Sequence, residues 1–283
     1  MDSYRKIHYS LRHRVIAKLS QHLDGITYTQ RHGLIRGMKR QGGLGFLPPI
    51  LAGGNYETAE HRFLRSLPLQ DRVIYEIGAF QGILTLFFSS RAKTVIAYEP
   101  NPPSCSRLLR NLRLNRRTNV QVRNLAVGEH AGSIRLLSDP LMPGGTSGDP
   151  TVSHQIEASR VATSIEVPVV TIDQDVASAG LPPPDLIKID IEGMELPALR
   201  GMVHTLRHHR PDLYMEMHGA TMAHKDENVR GIVGFLETVG YAHLVHVESG
   251  ARIHRANATL AREGHVFASF SIPTGVQAAS SRL

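Results

Sequence analysis

The chain contains 283 residues, of which 41% are hydrophobic and 20% are charged. This composition can supply a core and excludes a globally disordered chain. No window approaches 18 uninterrupted apolar residues, so the sequence predicts no membrane-spanning helix. The single cysteine, Cys105, excludes a disulfide framework and a cysteine-based zinc site. We therefore expect a cytoplasmic protein.

The net charge of +7 is concentrated in the first part of the chain. Residues 1–65 hold 11 Lys and Arg against four acidic residues, whereas basic and acidic residues balance in the remainder. Such a segment can attract an anionic partner, which includes nucleic acid, a membrane surface or an anionic group on a substrate. A solvated basic helix is the simpler interpretation.

Three regions follow from the pattern along the chain. Apolar residues recur every four positions from residue 4 to residue 23, which predicts a basic amphipathic helix that packs on the main domain or pairs two subunits of a homodimer. Residues 42–54 are rich in Gly and Pro, as in a linker or lid. We therefore expect a basic helical extension with its linker at 1–55, a main domain at 56–272 and a flexible tail at 273–283.

From residue 72 onward, short apolar strands alternate with helical stretches. This alternation predicts an α/β fold with a doubly wound, mostly parallel seven-stranded sheet and helices on both faces. Two extra strands are expected at 132–137 and 165–170. The seven strands of the main sheet are predicted at 73–77, 94–98, 120–124, 186–190, 213–217, 243–247 and 265–271.

The first predicted strand runs through Glu76 into a turn that contains Gly78 and Gly82. Glycine at a strand-to-helix turn lets the backbone approach a ligand closely, and α/β sheets bind ligands beyond the carboxyl ends of their strands. The G-x-G-x-x-G pattern is absent, which counts against NAD and FAD, and the absence of a G-K-[ST] motif excludes a P-loop.

Glu99 ends the second predicted strand, one βα unit after the glycine turn, and Pro100 follows it. A carboxylate at this position can accept hydrogen bonds from both hydroxyls of a ribose. Together, Glu76 and Glu99 suit a ligand that carries a ribose and a positive charge, and they do not suit a pyrophosphate.

Several segments resemble the FkbM-type methyltransferase family over about residues 57–270. The resemblance implies a class I, Rossmann-like fold that uses S-adenosylmethionine to methylate a hydroxyl of a sugar, a lipid or a secondary metabolite. The segments that carry it are E-I-G-A-x-x-G (76–82), I-A-Y-E-P-N-P (96–102), N-L-A-V-G (124–128), V-x-T-I-D (169–173), P-D-L-I-K-I-D-I-E-G-M-E (184–195) and P-D-L-Y-M-E-M-H (211–218).

The resemblance also implies a set of cofactor-binding residues. Glu76, Gly78 and Gly82 line the methionine part, Glu99 holds the ribose and Ala126 borders the adenine. The remaining residues assigned to this cofactor site are Ala79, Pro100 and Asp190.

The acceptor site is expected at the ends of two later strands. Methylation of an alcohol requires a base for the hydroxyl proton. Asp190 is the candidate that orients the acceptor or the cofactor, and His218 is the candidate base near neutral pH. Glu216 and Glu192 can orient that histidine, although Glu192 can equally cap the following helix. Asp190, Glu216 and His218 also offer ligands that suit Mg²⁺ or Mn²⁺, but nothing in the sequence requires a metal.

Two alternatives stay open at this stage. In the first, the same fold methylates an amine or a carboxylate. In the second, the chain binds nucleic acid or a membrane through its basic segment on a methyltransferase scaffold. The loop at 143–147 is expected to act as a mobile lid over the acceptor.

Overall fold

The structure is a computed structural model that describes residues 25–41, 57–138, 146–149 and 163–271. The predicted helix at 4–23, the Gly/Pro segment at 42–54 and the tail at 273–283 lie outside these residues. Within the described ranges, no helix has the length and apolar character needed to cross a bilayer.

The elements alternate largely as the sequence predicts, and the seven strands of the main sheet agree within two residues at each end. The strands are β1 (Thr27–Thr29), β2 (Lys39–Gln41), β3 (Val73–Ile77), β4 (Thr94–Tyr98), β5 (Val120–Arg123), β6 (Ala126–Val127), β7 (Gly132–Ser138), β8 (Thr146–Ser147), β9 (Thr163–Val170), β10 (Leu186–Ile189), β11 (Asp212–Glu216), β12 (His243–His246), β13 (Arg252–Ile253) and β14 (His265–Ser269). The α-helices are α1 (Ala59–Ser66), α2 (Ile83–Ser89), α3 (Pro102–Leu114), α4 (Ile172–Ala179), α5 (Glu195–Arg200), α6 (Val203–His209) and α7 (Met222–Val239), and a 3₁₀ helix spans Arg255–Ala261.

The main sheet has the order β13-β12-β14-β11-β10-β3-β4-β5. Its central strands are parallel, and β14 runs antiparallel between β11 and β12. Seven of these strands confirm the predicted sheet, and the two-residue β13 adds an eighth at the edge. The chain leaves β3 in one direction through β4 and β5 and returns on its other side through β10 and β11. The topological switch point, where such sheets bind ligands, therefore lies between β3 and β10.

Two apolar layers enclose the sheet, because alternate residues of each buried strand point to opposite faces. Ile74 and Val95 pack with α1, α2 and α3 on one face. Tyr75, Ile77 and Ile96 pack with α4 to α7 on the other face. This two-sided burial explains why β3 reads as a continuous apolar run that only Glu76 interrupts.

A second, smaller sheet with the order β6-β9-β7-β8 is inserted between β5 and α4. β7 and β9 confirm the two extra strands that the sequence predicts. Most of the glycine-rich loop between them lies outside the described residues, but Thr146 and Ser147 form β8. Ser147 donates a hydrogen bond from Oγ to the Glu192 carbonyl at 2.7 Å, which ties this sheet to the loop after β10.

An antiparallel hairpin of β1 and β2 packs on α3, and the sequence analysis did not predict it. The backbone N–H of Gln41 donates to Asn111 Oδ1 at 2.7 Å, and that of Lys39 donates to Asn115 Oδ1 at 2.8 Å. Ile35, between the two strands, is buried in the core. Residues 25–41 of the predicted extension are therefore packed on the main domain, and the boundary at residues 55 and 56 stays a prediction.

Candidate functional site

The loops that follow β3 and β10 cross at the switch point in close contact. Gly78 has a φ of 85°, and a Cβ at this position would lie 1.8 Å from the carbonyl oxygen of Asp190. Any side chain would therefore force the two loops apart, and only glycine satisfies both constraints. The Asp190 N–H completes the junction by donating to the Ile77 carbonyl at 3.0 Å.

A cavity that is partly open to solvent lies beside this crossing. Gly78, Glu99, Pro100, Ala126 and Asp190, all predicted cofactor residues, line it. The small sheet closes one side with apolar residues that include Ile134, Leu136 and Val169. The other lining residues include Phe80, Tyr98, Leu125, Gly128, Gly148, Glu192 and Met194.

Three other residues predicted to bind the cofactor do not line this cavity. Ala79 is buried in the core beneath the turn. Gly82 begins α2 with a φ of 83°, and a Cβ there would lie 2.3 Å from Leu108 Cδ1. Its small size therefore serves the packing of α2 against α3. Glu76 is fully buried behind the turn.

Glu99 is held rigidly at the cavity wall by two backbone amides. Its Oε2 accepts from the Phe80 N–H at 2.6 Å, and its Oε1 accepts from the Asn101 N–H at 2.9 Å. Burial raises the pKa of Glu99 to about 7 against the lowering effect of these hydrogen bonds. Each carboxylate oxygen keeps lone-pair capacity for a further donor.

A row of buried charges connects β3 with β10. Lys188 lies opposite Glu76 in the strand register, and its Nζ donates to Asp190 Oδ2 and to the Gly78 carbonyl, both at 3.0 Å. Burial opposes ionisation of Asp190, but the Lys188 charge outweighs it and lowers the pKa of Asp190. Burial raises the pKa of Glu76 to about 7, and its Oε2 has no hydrogen-bond partner in the described part of the chain.

His218 lies at the centre of a group of carboxylates beyond the ends of β10 and β11. Its Nδ1 lies 3.0 Å from Glu195 Oε1, which is completely buried. Its Nε2 lies 3.7 Å from one oxygen each of Asp190, Glu192 and Glu216. The cluster brings together every residue predicted for the acceptor site, and Asp190 and Glu192 are its members on the cavity wall.

The role of His218 as a base near neutral pH stays a prediction, and its surroundings raise its pKa. Burial lowers the pKa of His218, but the hydrogen bond to Glu195 and the charges of Glu195, Glu192 and Asp190 outweigh it and raise the pKa to about 9. Without a bound cation the protonated imidazole is therefore favoured near neutral pH, and a metal ion at Nε2 would have to displace its proton. Sequence reasoning missed this because Glu195 reaches His218 only through the tertiary fold.

The group with metal-binding geometry also differs from the predicted set. Ligand atoms of Asp190, Glu192 and His218 lie within 4.8 Å of one another, and Glu216 does not belong to this group. Because Glu195 occupies Nδ1, only Nε2 is available to a ligand, as in metal sites in which a carboxylate orients the histidine. Glu192 reaches the group from a left-handed backbone conformation with a φ of 53°.

Sequence reasoning also missed a second group of charges behind Glu216. His265 Nδ1 lies 2.5 Å from Glu248 Oε1, and its Nε2 lies 3.7 Å from both Glu216 Oε2 and Glu60 Oε1. Burial lowers the pKa of His265, but Glu216, Glu248 and Glu60 outweigh it and raise the pKa to about 10. Strand β14 therefore supplies a cation that holds Glu216 in place. The alternation of apolar residues in β14 carried no signal for this role.

A family model described as the methyltransferase FkbM domain matches residues 76–242. The chain belongs to this family. The match includes the glycine turn, Glu99 and the cluster around His218, so the family assignment and the site geometry concern the same part of the molecule.

Two curated proteins share part of this chain's sequence. The hexuronic acid methyltransferase AglP of Haloferax volcanii is 28% identical over 138 residues, which cover 49% of this chain and 53% of that protein. Methyltransferase 1 of Beauveria bassiana is 28% identical over 146 residues, or 47% of this chain and 59% of that protein. The match to the chain therefore spans only a little over half the length of these relatives.

Solved structures with weaker similarity include two methyltransferases. The methyltransferase FkbM of Methylobacillus flagellatus is 18% identical, with a TM-score of 0.44 over 70% of this chain and 43% of that chain. A putative methyltransferase from Streptococcus mutans, solved with SAH, is 12% identical, with a TM-score of 0.42 over 74% of this chain and 94% of that chain.

The burial of Glu76 predicts a pH dependence of stability in the ligand-free protein. The Glu76 carboxyl ionises near its ordinary pKa in the unfolded chain and near 7 in the folded chain. Between these two pH values the folded state binds more protons than the unfolded state, so the folded protein loses stability as the pH rises. On going from pH 5 to pH 8, Glu76→Gln should therefore gain roughly 2 to 3 kcal/mol of unfolding free energy relative to wild type. Urea denaturation at both pH values measures this gain.

The control for loss of a carboxylate is Glu227→Gln at an exposed position of α7. It should differ from wild type by the same small amount at both pH values. A Glu76→Gln effect that is equally independent of pH would contradict the assignment of the titration to Glu76.

Proposed function

We propose that the chain is an S-adenosylmethionine-dependent methyltransferase whose cofactor binds in the cavity at the switch point. The observation that carries the proposal is the position of Glu99, which lines the cavity with both oxygens fixed by backbone amides. A carboxylate fixed at this site suits the two hydroxyls of a ribose.

The surrounding residues fit the other parts of the same cofactor. The apolar wall near Ala126 and Ile134 suits the adenine, and the negative charges of Asp190 and Glu192 on the same wall suit the ammonium of the methionine part. Gly78 lets the backbone of the turn approach the ligand. When bound, the cofactor supplies an electrophilic methyl group on a positively charged sulfonium, and Asp190 on the same wall offers a negative charge to it.

We further propose that the methyl group goes to a hydroxyl of a sugar-like acceptor. The hexuronic acid methyltransferase among the relatives supports a sugar acceptor. The carboxylate cluster supports a hydroxyl, because an alcohol has to lose a proton during methylation and Asp190 and Glu192 border the place where it would enter. A carboxylate acceptor would not need this cluster, because it carries no proton near neutral pH.

We also propose that Asp190, Glu192 and His218 hold a divalent cation. Nε2 of His218 is too far from the carboxylates for hydrogen bonds, and the gap between their oxygens is of the size that a bound ion would fill. Two carboxylates and an imidazole suit Mg²⁺ or Mn²⁺. A cation at this point would lower the pKa of an acceptor hydroxyl, and His218 would serve as a ligand and not as the base.

Glu99→Gln should weaken the binding of S-adenosylhomocysteine by at least about 100-fold, because charged hydrogen bonds to two ribose hydroxyls are lost. Isothermal titration calorimetry measures the dissociation constant, and thermal melting confirms that the variant is folded. Glu227→Gln is the matched control and should bind as wild type does. Binding to Glu99→Gln within a few-fold of wild type would exclude the ribose role.

Incubation with S-adenosylmethionine and a panel of hexoses, hexuronic acids and amino sugars should yield a methyl ether. Mass spectrometry detects the added methyl group, and mild alkali separates the classes of product, because an ester releases methanol and an ether does not. An alkali-labile product would assign carboxyl methylation, and methylation confined to amino sugars at nitrogen would assign an amine acceptor. Either result would overturn the proposed hydroxyl.

The cation proposal predicts that the protein binds one Mn²⁺ in the absence of cofactor. Electron paramagnetic resonance of free Mn²⁺ measures this binding. Asp190→Asn, Glu192→Gln and His218→Gln should each weaken it more than about tenfold, since each removes a ligand. Glu248→Gln alters the neighbouring His265 group and should leave binding intact. The proposal fails if Mn²⁺ does not bind at millimolar concentration or if binding ignores all three substitutions.

A further inference from the structure

One surface of the molecule is formed by two segments that are rich in cations and contain no acidic residue. It consists of the hairpin, residues 25–41, and of α3 with its flanks, residues 100–119, and is called the basic face below. The hairpin contains four Lys and Arg and the α3 segment contains five, and neither contains an Asp or Glu. The two segments pack against each other, so their charges accumulate on one side of the domain.

Part of this charge holds the hairpin on α3. Arg107 and Arg110 donate to the main-chain and side-chain oxygens of Gln41. Another part faces solvent and, among the described residues, forms no ion pair with a carboxylate. The exposed cations in this second group are Arg31, Arg36, Lys39, Arg113 and Arg116.

Exposed aliphatic side chains lie among these cations. Ile26 is 50% exposed just before β1, and Leu109 is 43% exposed on α3. Leu109 precedes Arg113 by four residues, so the two share one face of the helix. A surface that binds at the membrane interface combines cations with apolar side chains of this kind.

The segments before and after the hairpin carry no negative charge in excess that could neutralise this surface. Residues 1–24 contain five Lys and Arg against two Asp, and the Gly/Pro segment at 42–54 contains no charged residue. Neither segment therefore cancels the positive charge of the basic face.

We propose that the basic face binds the surface of an anionic lipid bilayer. A cluster of cations is attracted to acidic headgroups, and aliphatic side chains between them can enter the boundary between headgroups and acyl chains. A nucleic acid is the less suitable partner, because base stacking uses aromatic side chains and the exposed large apolar residues of this face are aliphatic. The cations and aliphatic side chains that carry the proposal do not line the cavity, and the proposal does not depend on the proposed reaction.

The test is cosedimentation of the full chain with vesicles of phosphatidylcholine that contain about one third phosphatidylglycerol, compared with vesicles of phosphatidylcholine alone. The protein should bind the anionic vesicles, and the binding should weaken steeply when salt rises from about 0.05 to 0.5 M. Because each cation near the bilayer contributes about a fivefold factor, the double variant Arg36→Gln/Arg113→Gln should bind about 25-fold more weakly. Leu109→Ser should weaken the binding that persists at high salt.

The matched control is Arg207→Gln/Arg230→Gln, which removes two exposed arginines from α6 and α7 on the opposite side of the sheet. It changes the net charge equally and should bind vesicles as wild type does. All variants should retain the wild-type melting temperature and affinity for S-adenosylhomocysteine. The proposal is overturned if anionic vesicles are not bound, if both double variants lose affinity equally, or if the protein binds an RNA homopolymer but no vesicles.

Discussion

The arrangement of the site depends on the close crossing of two loops at the switch point of the sheet. Gly78 and the Asp190 carbonyl touch so closely that no side chain fits between them. This contact places the ends of β3 and β10 side by side, and Lys188 secures it by binding the Gly78 carbonyl and the Asp190 carboxylate together. Both the cavity and the carboxylate cluster begin at this junction.

The crossing also explains how several acids can remain close together. Asp190, Glu192, Glu195 and Glu216 surround His218, and Lys188 adds a buried cation beside Asp190. Without these cations, the carboxylates would repel one another at a cost that burial increases. A positively charged ligand, whether a sulfonium or a metal ion, would therefore be stabilised here. The same electrostatics favour the protonated form of His218, which makes it a poor base, and a metal ion would have to displace that proton to bind Nε2.

The fold separates its two charged surfaces. The acidic cluster lies at the carboxyl edge of the sheet, beyond β10 and β11, whereas the cations of the hairpin and α3 cover one side of the domain. An overall charge of +7 conceals this division, because the acidic groups of the site are cancelled in the total by arginines far from it. A partner of the basic face and a ligand of the cavity can therefore be recognised independently.

The sequence by itself determined the succession of strands and helices along the chain, the glycine turn and the acids at the strand ends. These features depend on local periodicity and on residue types that few other structures require, so β3, β4 and Glu99 could be predicted directly. The small sheet was visible only as two strands, and the hairpin at 25–41 was missed because its strands are three residues long and mostly polar.

Only the tertiary structure decided which groups meet. Glu195 follows Asp190 closely in sequence and resembles a helix-capping acid, yet it fixes His218 of a different strand. Gly82 has the spacing of a cofactor-binding glycine but packs against Leu108. His265 holds Glu216 from an antiparallel strand that begins about 50 residues later in the chain. Contacts of this kind depend on strand order and register across the sheet, and local sequence patterns do not encode either one.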